Sequence, residues 1–104
     1  MAEKALKRNA VPSGVYWATV SRLVKQHPGS GRFVARALYQ LEHAETLPLR
    51  GDSQVTPATF GVSRRYCVHR LGHFHLWLWY AVPYGGDVML YAVRDVPPPE
   101  GGPK

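Results

Sequence analysis

The sequence predicts an α+β fold: a helical hairpin packed on a small twisted antiparallel sheet. Three observations carry this expectation. Apolar residues recur at three- and four-residue spacing through 13–41, β-branched and aromatic residues dominate 66–82 and 88–96, and the Gly- and Pro-rich stretch 47–63 between them has no sustained period. With 104 residues the chain has room for one core, since either half alone would bury too little apolar surface. The expected organisation is a single domain over residues 1–96 followed by a Pro- and Gly-rich tail over 97–104, where the prolines cannot donate to a ladder.

Each element has a local cause. Residues 1–12 have few apolar anchors, so they form an arm that is loosely held or completes a sheet edge. Ser13 is placed to cap a helix carrying Tyr16, Trp17, Val20, Leu23 and Val24, which Pro28 ends. Ser30 is placed to cap a second helix with Phe33, Val34, Ala37, Leu38 and Leu41 as its apolar stripe, and Pro48 closes that region. The four-residue link 27–30 makes the pair an antiparallel hairpin. Residues 47–63 read as a loop leading into the sheet, Gly72 interrupts the first strand region, and 83–86 supply a turn. Alternation puts Phe74, Leu76, Leu78 and Tyr80 on the core face of one strand, with His75, Trp77 and Trp79 on the other.

Composition narrows the partners. Thirteen Lys and Arg against seven Asp and Glu give a net charge of +6, which attracts polyanions or an acidic polypeptide. The single cysteine, Cys67, excludes an intramolecular disulfide and fits a reducing compartment such as the cytoplasm, and its apolar strand neighbours mark it as packing. The charged start is followed by no continuous apolar stretch, so neither a secretory signal nor a membrane span is expected.

Cleaving a phosphodiester takes a proton acceptor, a proton donor and cations to hold the charge that develops on phosphorus. Arg64, Arg65, His69, Arg70, His73, His75 and Arg94 offer all three, with Arg50 at the start of the preceding loop. The same residues also suit a solvated basic face that binds an acidic protein. His69, His73 and His75 share strand parity unless Gly72 disturbs it, but no acidic residue or second cysteine lies near them and the arginines repel a cation, so no metal and no cofactor is expected. Trp77 and Trp79 suit base stacking or a protein interface, while burial, under the N-terminal arm for instance, is the plainer reading.

The run Arg70-Leu71-Gly72-His73-Phe74-His75 and the strand Leu90-Tyr91-Ala92-Val93-Arg94, preceded by two helices, resemble the RelE/ParE superfamily of toxins from type II toxin–antitoxin modules. The resemblance covers roughly residues 15–96 and departs in His75, where the family has arginine, in the weak first strand, and in the lack of tyrosine or histidine after Arg94. It implies growth arrest by ribosome-dependent cleavage of mRNA, with Arg70, His73, His75 and Arg94 as the catalytic set. Arg50, Arg64, Arg65, His69, Trp77 and Trp79 would then contact nucleic acid or an acidic cognate antitoxin. The missing C-terminal group requires the acid or base to come from elsewhere; alternatively the chain is a non-catalytic, ParE-like inhibitor of DNA gyrase. A basic nucleic-acid-binding module is a third class.

Overall fold

A computed structural model describes residues 8–55, 66–82 and 87–98, together with the two-residue strands Ala58–Thr59 and Val62–Ser63. The predicted turn at 83–86, most of the N-terminal arm and most of the tail lie outside these residues. Chain order is β1 (Ala10–Pro12), α1 (Gly14–Gln26), α2 (Gly31–His43), β2 (Ser53–Val55), β3 (Ala58–Thr59), β4 (Val62–Ser63), β5 (Tyr66–Arg70), β6 (Trp77–Ala81) and β7 (Val88–Arg94). Five strands form one sheet in the order β1-β7-β6-β5-β2, and β3 pairs with β4 in a separate ribbon.

The α+β class holds, with two corrections to the expected sheet. It is mixed, because β1 runs parallel to β7 while every other pair in the sheet is antiparallel. The backbone N–H of Ser13 bonds to Leu90 O at 3.0 Å, so the chain passes from the β1 edge directly into α1. Of the two readings of the arm, residues 10–12 complete a sheet edge. The stretch read as a loop also supplies strands, since Ser53, Gln54 and Val55 pair with Val68, Cys67 and Tyr66. A three-residue edge strand is too short to display a period in its sequence.

Helices and sheet share one core. Tyr16 and Leu23 of α1 and Val34, Ala37 and Leu41 of α2 meet Cys67, Leu78, Tyr80, Val88, Leu90 and Val93 of the sheet, all buried. The helical residues come three, four or seven apart and the strand residues sit at alternate positions, save for the three-residue step from Leu90 to Val93 across a register shift, so the two periodicities face each other. Burying each leucine contributes about 1.5–3 kcal/mol. Across the sheet, Val68, Trp77 and Trp79 make a second cluster with Val55, Tyr66 and Tyr91 around it.

Capping follows the expectation at one helix and not at the other. Ser13 Oγ accepts the N–H of Tyr16 at 3.1 Å and donates to Tyr91 O at 2.9 Å. Ser30 caps with its carbonyl, which accepts from Phe33 and Val34, while its buried hydroxyl makes no bond among the described residues. On α1, Thr19 Oγ1 accepts from Val93 N at 3.0 Å. Since β1 pairs only with Val88, Met89 and Leu90, these two side chains occupy the backbone groups of β7 that no strand reaches.

Two irregularities aim the side chains. Trp79 pairs with Ala92 and Tyr80 with Leu90, so Tyr91 is a bulge residue and leans toward the second cluster. Between β5 and β6, Gly72 holds φ at +58°, and a Cβ there would lie 2.7 Å from the Phe33 ring. Gly51, at φ +88°, has open space around it. Gly72→Ala should therefore cost about 2 kcal/mol or more, from left-handed strain plus the ring clash, and Gly51→Ala about 1 kcal/mol from strain alone. Equal costs in urea denaturation would mean that Phe33 does not constrain the turn.

Candidate functional site

Strand alternation and register build the first candidate surface on the sheet face away from the helices. Arg70, Trp77 and Arg94 are paired across β5, β6 and β7, which sets the two arginines two strand spacings apart, about 10 Å. The Arg70 guanidinium lies 5.5 Å from the Trp77 ring centroid, and that of Arg94 lies 5.5 Å from Trp79. Arg70 Nε also donates to Phe74 O at 3.2 Å, which holds its fork in place. His75 meets Trp77 edge-on at 4.5 Å. The tryptophans are 8% and 6% exposed, so they seat the arginines rather than offering bare faces to a base. Residues 10–12 lie at the sheet edge and do not supply the cover foreseen for the arm. Trp79 Nε1 is buried and has no hydrogen-bond partner among the described residues.

Of the four residues singled out as catalytic, Arg70, His75 and Arg94 gather here and His73 does not. His73 stacks on Phe74 at 4.6 Å and meets Phe33 of α2 edge-on at 5.8 Å, on the helical side. Residues 71–76 turn between β5 and β6 instead of continuing a strand, so the alternation that would have aligned His73 with His75 does not run through them. His69 pairs with Leu78, a core residue, and so shares its face, opposite to Arg70. Arg64 and Arg65 lie outside the described residues. No three His, Cys, Asp or Glu side chains come together as metal ligands among the described residues.

His69 and Arg50 line a cleft of about 400 Å³ with Tyr39, Gln40, His43, Ala44 and Leu49. The Nδ1–H of His69 donates to Asp52 Oδ1 at 2.7 Å. On the other carboxylate oxygen, Oδ2, the Tyr80 hydroxyl donates at 2.5 Å, and the same hydroxyl accepts from Leu49 N at 3.1 Å. The Asp52 side chain is 3% exposed and that of His69 22%, so a buried carboxylate orients an imidazole that still reaches solvent. Burial, then the bond to Asp52, pushes the Tyr80 hydroxyl far above the usual tyrosine range. At the mouth, Tyr39 and His43 stack at 4.2 Å, and His43 Nδ1 donates to Tyr39 O at 2.9 Å.

Sequence reasoning missed Asp52, Tyr80, Tyr39 and His43 as members of a site. One signal was present: a tyrosine on an otherwise leucine-rich core face brings a hydroxyl that needs a buried partner. No family model matches the chain, nor does any curated protein or solved structure. The class defined by the fold is thus a small α+β protein, two helices over a five-stranded mixed sheet. Among the described residues no helix is long and apolar enough to cross a membrane.

Tyr80→Phe strands the Leu49 N–H and one carboxylate oxygen, so it should cost about 1–3 kcal/mol at neutral pH. Because the folded-state pKa of Tyr80 lies above the unfolded value of 10.0, its contribution is complete below pH 10 and is lost as pH rises beyond it. Denaturation midpoints followed into alkali should accordingly fall more steeply for the unsubstituted protein than for Tyr80→Phe. Parallel curves would remove Tyr80 from the account of alkaline stability.

Proposed function

We propose that this chain is an RNA-directed toxin of the RelE/ParE kind, which holds its RNA on the open sheet face and arrests growth by acting on translated message. The observation that carries the reading is the pair Arg70 and Arg94, seated on Trp77 and Trp79 with His75 beside them. Guanidinium groups already stacked on aromatic rings lose little freedom when they bind phosphate, and their forks match its oxygens. The net charge of +6 draws a polyanion toward them. An acidic antitoxin would neutralise the toxin by covering the same arginines, because carboxylates compete with phosphates for the same forks.

Two measurements test the reading. Binding of the purified protein to a single-stranded RNA should weaken about tenfold or more in Arg70→Gln/Arg94→Gln, and the slope of log affinity against log salt should fall by about 1.4, because two phosphates are no longer neutralised. In bacterial cells, induction of the chain should arrest growth and create new mRNA ends by primer extension, and the double variant should relieve both. Unchanged affinity in the double variant would remove the arginine face from RNA binding. Arrest without new ends would overturn cleavage and leave the gyrase-type action.

A further inference from the structure

We infer that the cleft between α2 and residues 44–52 binds a small planar aromatic acid: a singly charged carboxylate on a ring that also carries a hydroxyl. It lies on the sheet face opposite Arg70, and the inference is independent of the arginine pair and of the RNA reading. Four observations converge. Buried Asp52 accepts the Nδ1–H of His69, which leaves the Nε2 lone pair of this lining residue available; among the described residues that nitrogen has no partner. Arg50 lines the same cleft, and its guanidinium has neither an ion pair nor a hydrogen bond among the described residues. At the mouth the rings of Tyr39 and His43 stack at 4.2 Å, and the bond from His43 Nδ1 to Tyr39 O holds the pair together. Tyr39 is 64% exposed, so this aromatic platform has surface to offer a flat ligand.

Each lining group restricts the ligand in its own way. A guanidinium fork meets both oxygens of a carboxylate at once, which a lone hydroxyl or carbonyl cannot reciprocate. The balance of charge restricts it further. Among the described residues Arg50 is the one lining guanidinium, and the Asp52 carboxylate stands directly behind His69. One positive charge set against one negative leaves no local excess to hold a dianion, so a carboxylate fits better than a phosphate monoester. His69 Nε2, an acceptor, calls for a donor on the ligand, and a ring hydroxyl is one. Tyr39, His43, Ala44 and Leu49 favour a flat apolar body joining these two polar groups. At about 400 Å³ the cleft suits a single ring rather than a polymer. Asp52 and Tyr80 do not touch the ligand: Asp52 positions His69, and Tyr80 positions Asp52. A ligand held by α2, by Arg50 and by His69 of β5 joins three parts of the chain, so its binding also raises stability.

The test titrates the full chain with meta- and para-hydroxybenzoate and follows its amide shifts by NMR. It is run at about pH 8, where ordinary imidazoles are neutral and phosphate monoesters are dianions. Saturable shifts are expected around Tyr39, His43, Arg50 and His69 for at least one isomer, with a Kd of about 1 mM or below. Phenol, which lacks the carboxylate, should bind about tenfold more weakly or worse, and so should the hydroxybenzoate to Arg50→Gln, a change at an exposed position that leaves the core intact. Benzoate, which lacks the hydroxyl, should bind the unsubstituted protein about fivefold more weakly than the hydroxybenzoate, and His69→Phe should erase that difference. This cycle isolates the hydrogen bond to His69 from any general loosening of the cleft. Phenyl phosphate should bind more weakly than the carboxylates. No saturation by either isomer, tighter binding of phenyl phosphate, undiminished affinity in Arg50→Gln, or a hydroxyl advantage that persists in folded His69→Phe overturns the assignment. Arg70→Gln/Arg94→Gln should bind the hydroxybenzoate as the unsubstituted protein does. Failure here with RNA binding intact strikes only the cleft, and the converse strikes only the arginine face.

Discussion

A carboxylate persists inside a protein only where donors meet both of its oxygens, and Asp52 satisfies this from two strands at once. Tyr80 reaches it from β6 in the middle of the sheet, and His69 from β5. Because Tyr80 also receives the Leu49 N–H, the segment after α2 is tied to the central strand by polar bonds. The apolar side chains of Leu47 and Leu49 pack on the same core, so greasy and polar contacts fix this segment together. Displacing Asp52 would loosen the loop, the imidazole and the tyrosine in one step, since each uses the others as its partner.

The sheet is buried on both faces by different means. One face lies under two helices, the usual solution for an α+β fold. The other carries two tryptophans, two tyrosines and two valines, a set that would be an adhesive patch if left bare. Here arginines on the flanking strands lie across the indoles, which brings charge over an apolar surface. The bulge at Tyr91 contributes by turning one more ring toward Tyr66, at 5.1 Å.

How much was legible in the sequence follows from which interactions are periodic. The stripe of Tyr16 and Leu23 in α1, the stripe of Val34, Ala37 and Leu41 in α2, and the alternation of Leu76, Leu78 and Tyr80 are repeats imposed by backbone geometry, and each marks its buried face. The Ser13 cap was legible for the same reason, as a local bond over three residues. The direction of β1 was not, because three residues at an edge carry no signal of which way their neighbour runs. Nor was the pairing of His69 with Asp52 across 17 residues, which depends on how the intervening loop closes. At Gly72 the sequence showed an interruption but not that the whole of 71–76 leaves the strands, which decides on which side His73 emerges.

The hydroxyls of Ser13 and Thr19 also bear on how the molecule keeps to itself. By holding Tyr91 O and Val93 N they leave those backbone groups of β7 nothing to offer a foreign strand. Among the described residues the rim on that side of the sheet is β1, three residues long and ending in Pro12, which has no amide hydrogen. A neighbour seeking to extend the sheet there would find a docking line too brief to zip along, so growth of stacked ribbons from this flank is blocked by two small alcohols and an imino ring.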